Sequence, residues 1–216
     1  MSFYQWGVDS AENVTEDLYQ CVMHYFGHPK FWGRYLVRVQ DVSEGLTREE
    51  ISFIHSKGIR LLPIYNDFRA AEGFNQGRNA ANNAVFYAQN LEIPLGIPIF
   101  ANIERYFQID KEWIQGWTGT ILQAGYRSGF YNDPVTGNFN HAFCQAAKEN
   151  KIVLTENILW SAEPVLELDD LIYPLNYEPK APTCGGNVWI WQYSRQMPQC
   201  PIDMNIANIS LTELLW

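Results

Sequence analysis

The feature that most limits the fold of this chain is an alternation that stops part-way. Five β-forming runs are each followed by a stretch with helical spacing, and then the helices give out. Phe3 to Asp9 predicts a first strand, after which Val14, Leu18, Cys21, Val22 and Tyr25 recur at helical spacing. Phe31 to Val37 predicts the second strand, and Thr47-Arg48-Glu49-Glu50 is a capping box that opens a helix ending at Gly58. Ile59 to Tyr65 is the third strand, with Ala80, Ala84, Val85, Ala88 and Leu91 lining the helix behind it. Ile97 to Glu104 is the fourth. Asp110 is placed to cap a helix carrying Trp113, Trp117 and Ile121. Gly125 to Tyr131 and a helix through Phe143 and Ala147 complete the fifth unit, and Ile158 to Ala162 is the sixth strand. Leu171 to Tyr177 and Asn187 to Tyr193 then predict strands with no long amphipathic helix between them.

Strands alternating with helices predict a mostly parallel sheet covered by helices. Eight strands in 216 residues favour a closed barrel near the lower size limit of that architecture. The expected class is therefore α/β: an irregular TIM-like (β/α) barrel with about five βα units followed by helix-poor final strands. An open doubly wound sheet would want a glycine-rich phosphate loop after its first strand, and Gly7-Val8-Asp9-Ser10-Ala11 supplies none. No repeat or linker divides the chain, so residues 1–216 are expected to form one domain.

In such a barrel the carboxyl ends of the strands gather at one rim, where the chemistry sits. Glu104 ends the fourth run, and Asn102, two residues back, points the same way because strand side chains alternate. Asp9 ends the first strand, and Asp203 follows the last. Arg34, Tyr65, Tyr131, Trp160, Trp191 and Tyr193 also fall near strand ends and are candidates to line a substrate groove. The net charge is −9, without a Lys/Arg cluster, which argues against nucleic acid as a partner. No apolar stretch approaches a membrane span. The four histidines and four cysteines form no metal-ligand pattern, and no cofactor is implied. An acidic, aromatic rim suits a neutral, hydroxyl-rich ligand, and glycoside cleavage in particular needs one protonated carboxyl group beside another carboxylate. Each residue also has a plainer role open to it. Asp9 suits a helix N-terminus, Asp203 an Asx turn, Glu104 a partnership with Arg105, and Trp191 and Tyr193 an ordinary core face.

The cysteines are Cys21, Cys144, Cys184 and Cys200. Cys21 and Cys144 fall on apolar helix faces and are expected as buried thiols. Cys184 and Cys200 flank a strand and are the expected disulfide, which would mark an oxidising compartment. The chain begins almost directly in a strand without a basic-then-apolar leader, so the expected location is cytoplasmic, or extracellular if a leader has been removed.

Four segments carry a family resemblance: Gly7-Val8-Asp9-Ser10, Phe100-Ala101-Asn102-Ile103-Glu104, Leu159-Trp160-Ser161-Ala162, and Trp191-Gln192-Tyr193 with Ile202-Asp203-Met204-Asn205. In this order they resemble the family 25 glycoside hydrolases, the CH-type lysozymes. Gly33-Arg34-Tyr35-Leu36, Gly58 to Tyr65 and Gly125 to Gly129 resemble still more closely a bacterial group of glycoside-hydrolase-like barrels related to those enzymes. The resemblance implies a barrel with helices after five of its eight strands and cleavage of N-acetylated amino-sugar polymers such as peptidoglycan. It also implies Glu104 as general acid, with Asp9 and Asp203 on the same floor. The family's pattern has an Asp-x-Glu here, and this chain has Asn102 at the helper position. Asn accepts a hydrogen bond but cannot stabilise positive charge as an anion does. The expected function is therefore a glycoside hydrolase, with a substrate-assisted route through an acetamido group open to it. The alternatives are a carbohydrate-binding barrel that has lost turnover and a hydrolase of another class on the same rim.

Overall fold

The computed structural model describes residues 3–166, 174 and 176–216. Its eight strands close into a barrel in sequence order. They are β1 (Tyr4–Asp9), β2 (Phe31–Tyr35), β3 (Arg60–Tyr65), β4 (Pro98–Asn102), β5 (Arg127–Asn132), β6 (Ile158–Ser161), β7 (Asn187–Ser194) and β8 (Asp203–Asn208). Helices follow the first five: α1 (Glu16–Tyr25), α2 (Arg48–Ser56), α3 (Phe74–Asn90), α4 (Lys111–Gln123), and then α5 (Phe139–Glu149) with α6 (Lys151–Glu156). The short α7 (Ile209–Thr212) follows β8. The mixed α/β barrel with a helix-poor tail agrees with the sequence pattern, and no helix among the described residues is long and apolar enough to cross a membrane.

The last strand differs from expectation. Asp203–Asn208 is a strand, not a turn, and it runs antiparallel to both of its neighbours, β7 and β1. A parallel pair needs a crossover of a dozen or more residues, usually a helix, whereas antiparallel strands can be joined by a short connection. The segment 195–202 is too short to carry a crossover helix, so the strand it feeds must turn back. The expected strand Leu171–Tyr177 lies for the most part outside the described residues, and the barrel closes without it.

Local signals explain the front half. Thr15 and Asp110 cap α1 and α4 by accepting from the N–H groups of Leu18 and Trp113. Thr47 caps α2 through Glu50 N–H, but the capping box is only half made. The Glu50 carboxylate turns away to accept from Arg34 Nε at 2.6 Å, Val14 N–H at 2.8 Å and Asn13 Nδ2 at 2.6 Å. Outward-facing apolar side chains of the strands pack against the helices, with Tyr65, Trp113, Trp117 and Phe130 in one such cluster and Trp6, Trp32, Trp191 and Tyr193 in another.

Inside the barrel Phe31, Leu62, Ile64, Phe100, Ile158, Trp160 and Ile190 fill the lower part, with Leu211 and Leu215 packed against them. Glycines make room for these rings. A Cβ on Gly7 would come within 2.5 Å of the Phe31 ring, and one on Gly129 within 2.5 Å of the Phe100 ring. The aromatic filling closes the bore, so a ligand can be met only from above it.

Both cysteine expectations are corrected. Cys21 in α1 is bonded to Cys200, and Cys144 in α5 to Cys184, so neither Cys21 nor Cys144 is a thiol and Cys184–Cys200 is not a pair. Adjacency in sequence gave a false lead because the barrel brings the tail back against α1 and α5.

Candidate active site at the barrel rim

Asp9 is the last residue of β1 and Asp203 the first of β8, and they stand directly opposite each other in the antiparallel ladder. Reversal of β8 is what delivers Asp203 to the rim, since its strand starts where its neighbours end. Directly paired residues on one face bring their Cβ atoms to about 5 Å, so two carboxyl groups here repel unless something intervenes. That something is Gln192, which faces Asn205 across the β7–β8 ladder. Its Nε2 donates to Asp9 Oδ1 at 3.3 Å and to Asp203 Oδ2 at 3.0 Å. Its Oε1 accepts from the Tyr131 hydroxyl at 2.8 Å and from Arg195 Nε at 3.0 Å. Asn205 extends the network downward, donating to Asp9 Oδ1 at 2.6 Å and accepting from Trp160 Nε1 at 2.8 Å.

Asn102 ends β4, and its Nδ2 donates to Glu104 Oε1 at 3.1 Å. Glu104 lies two residues beyond the strand, only partly buried. Two adjoining cavities open at this rim, of about 370 and 420 Å³, and share Asp203 and Gln196. Asp9, Tyr35 and Met197 line the first; Glu104, Tyr131, Asp133 and Arg195 line the second. The acids sense one another across it. Burial, then Asp203, then Glu104 push the Asp9 carboxyl well above its ordinary range, against the opposing hydrogen bonds of Asn205 and Gln192. Burial and Glu104 raise Asp203 too, opposed by the Gln196 N–H and by Arg195. Burial, reinforced by the same carboxylates, pushes the Tyr35 and Tyr131 phenols well up.

Asp9, Asn102, Glu104, Asp203 and Tyr131 thus come together at one rim. Asp9 takes no part in capping α1, which Thr15 does, and Asp203 accepts from Gln196 N–H, seven residues back, instead of closing an Asx turn. Trp160 is buried beneath the groove, edge-on to Phe100 and Tyr131. Four groove candidates are corrected. Arg34 is 0 % exposed, with its guanidinium held by Glu50 and the carbonyls of Ser10, Ala11 and Glu44. Tyr65 stacks on Trp117 between barrel and helices. Trp191 donates to the Pro164 carbonyl, and Tyr193 packs beside it in the outer layer. Strand parity is the reason: Gly33 pairs with Asp9, so Gly33 and Tyr35 share its face and Arg34 takes the other.

Arg195 and Gln196 are residues that sequence reasoning did not reach, and Gln192 and Asn205 entered it within the last-strand segments without an assigned role. The signal for Asn205 was the polar–apolar alternation Asp203-Met204-Asn205-Ile206, with its polar face turned inward. Among the described residues no group of three or more His, Cys, Asp or Glu is arranged to hold a metal ion.

A crystal structure of an uncharacterized B. stearothermophilus protein superimposes with a TM-score of 0.95 at 48 % identity, covering 98 % of this chain and 100 % of that one. A muramidase from Acremonium alcalophilum shares the fold at a TM-score of 0.59 and 15 % identity, over 97 % of this chain and 98 % of its own. A family 25 glycosyl hydrolase from Bacillus anthracis does so at 0.57 and 13 %, over 96 % and 90 %. No curated protein matches the chain in sequence. Residues 16–207 match one family model, and the chain belongs to that family: the Rv2525c-like, glycoside hydrolase-like domain.

Proposed function

We propose that the protein, acting as one domain over residues 1–216, is a glycoside hydrolase of N-acetylated amino-sugar polymers, peptidoglycan or a related glycan. The observation that carries this is the meeting of Asp9, Asp203 and Glu104 around two adjoining cavities, with Asp9 and Asp203 linked through Gln192 and both raised by burial and by the neighbouring acids. The likeness in fold to a muramidase and a family 25 glycosyl hydrolase supports the same chemistry. Glu104 is the general acid. Its Oε1 already accepts from Asn102, which leaves Oε2 to carry the proton toward a glycosidic oxygen.

Asn102 is not an anion, so the positive charge developing at the anomeric carbon is met from within the substrate. The acetamido carbonyl oxygen attacks that carbon as the glycosidic bond breaks, and the departing oxygen takes the Glu104 proton. Water then opens the cyclic intermediate, with Glu104 as base. The Asn102 Oδ1 accepts the acetamido N–H and aims the carbonyl. Tyr131 and the exposed Tyr106 offer sugar-facing surface beside Glu104. Two disulfides support a place in an oxidising compartment.

Reducing ends released from peptidoglycan and chitin-type oligosaccharides test this. The native chain is expected to release them, and Glu104→Gln to lower the rate by about 10² to 10⁴. The neutral helper favours a second reading, a glycan-binding barrel without turnover. Glycan retention without release by either chain, and release gained in Asn102→Asp, would establish that reading instead.

A further inference from the structure

Asp9 and Asp203 face each other as a matched pair, yet their oxygens are used differently. Asp203 accepts an N–H on each oxygen: the Gln196 backbone on Oδ1 at 2.7 Å and Gln192 on Oδ2 at 3.0 Å. Both donors favour a carboxylate. Asp9 takes both of its donors, Asn205 and Gln192, on Oδ1 alone. Among the described residues none donates to Asp9 Oδ2, and that oxygen is not sealed off, because Asp9 lines the 370 Å³ cavity. Asp9 is also the more deeply placed of the two, 6 % exposed.

We infer that Asp9 rests as the neutral acid of the pair, with its proton on Oδ2, and that this O–H donates to a carbonyl or hydroxyl oxygen of the glycan in the Asp9-side cavity, while Asp203 is the carboxylate. Two like charges in direct cross-strand register cannot both ionise cheaply, and the one with an oxygen left without a donor and with less water gives way. The groups facing Asp9 agree. Asp203 from β8 and Glu104 beyond β4 are acidic; Tyr35 from β2 and Tyr131 from β5 are phenols held neutral. Arg195, whose charge reaches Asp203, is spent on Gln192, the Ala162 carbonyl and Glu163, and Arg34 on Glu50 and backbone carbonyls. The upward displacement of the Asp9 carboxyl is consistent with this arrangement. A donor in this cavity selects for acceptors. An N-acetyl group presents a carbonyl there, and a de-N-acetylated ammonium presents none, so N-acetylated sugars are favoured.

The ligand half of this inference rests on the proposed glycan site; the protonation half does not, and the experiment separates them. The native protein carrying ¹³C-carboxyl aspartate is titrated by NMR, with Asp9 assigned by sequential connectivity and by loss of its signal in Asp9→Asn. The Asp9 carbon is expected to keep its protonated shift well above pH ~3.9, the ordinary aspartate value. Because the two sites interact, the pair should titrate in two steps, the later one weighted on Asp9. An Asp9 carbon that ionises in the ordinary range, or before Asp203, overturns the inference.

Stability gives a second readout. A native-state pKa raised above the unfolded value means that the folded chain binds the extra proton. The native protein then loses stability as pH rises above ~3.9 through the Asp9 titration. Asp9→Asn keeps an oxygen for Asn205 and Gln192 without that loss. It should therefore melt higher than the native chain at neutral pH, with the gap closing as pH falls toward ~4. Equal melting throughout contradicts the neutral acid. Finally, binding of an N-acetylated chitin-type oligosaccharide to Glu104→Gln, followed by calorimetry, should weaken at least about tenfold as pH passes through the Asp9 step, since one buried donor is lost. Affinity that ignores that step overturns the donor role. No binding at any pH removes the glycan reading and the donor role together, with the titration still deciding the protonation.

Discussion

The two halves of this barrel are held together by different means. From β1 to β5 each strand is followed by a helix, and the wall is sealed by apolar contact between the two layers. From β6 onward no helix intervenes among the described residues until the four-residue α7. There each disulfide ties the tail to a front-half helix, Cys200 to α1 and Cys184 to α5. The same tail supplies Gln192, Arg195, Gln196, Asp203 and Asn205 to the rim. In the tail the outward apolar side chains Trp191, Tyr193 and Met204 pack with residues of β1 and α1 instead of with helices of their own. Covalent ties and a polar network add to that packing, and the polar network is what a binding site needs.

The contrast can be broken most forcefully in the front half. Arg34→Ala would leave the Glu50 carboxylate, 4 % exposed, buried without its cation, and should cost about 3–5 kcal/mol in urea unfolding. A loss below 1 kcal/mol would mean that the front half does not depend on this inner pair. In the tail, Cys21→Ser with Cys200→Ser removes the tie on the 195–202 connection, and about 2–4 kcal/mol should go with it. Glycan release should fall too, because Gln196 and Met197 line the Asp9-side cavity. If stability falls while release is untouched, the tie serves the fold alone. The smallest effect sharpens the comparison. Asp110→Ala removes the cap on Trp113 N–H and the acceptor for Gly73 N–H, and should cost about 1 kcal/mol in thermal melting without altering the Asp9 titration.

Legibility in the sequence divides along the same line. The front strands and helices could be read because outward strand faces and helix stripes are apolar at regular spacing, and because Thr47 and Asp110 stand where caps belong. In β8 the pattern is inverted: Met204 and the half-buried Ile206 face the outer layer while Asp203 and Asn205 point inward. Polar side chains therefore occupy the positions that usually announce a core. Gln192 was given no role for a related reason, since Trp191 and Tyr193 on either side of it are the conspicuous residues and both face out. Asp9 and Glu104 could be found because strand ends of a parallel barrel converge by topology. Arg34 and Tyr65 could not be assigned a face without the register. Disulfide pairing is likewise a property of the closed barrel and cannot be counted off along the chain.

The turned-back final strand also decides where this rim is adjustable. The segment 195–202 leads only into a neighbouring strand, as a hairpin tip does, and it overhangs both hollows at the mouth. Residues added or trimmed there would reshape the lip of the groove and leave the staves of the wall in place. Variation in the shape of the groove among relatives should therefore fall first on that lip.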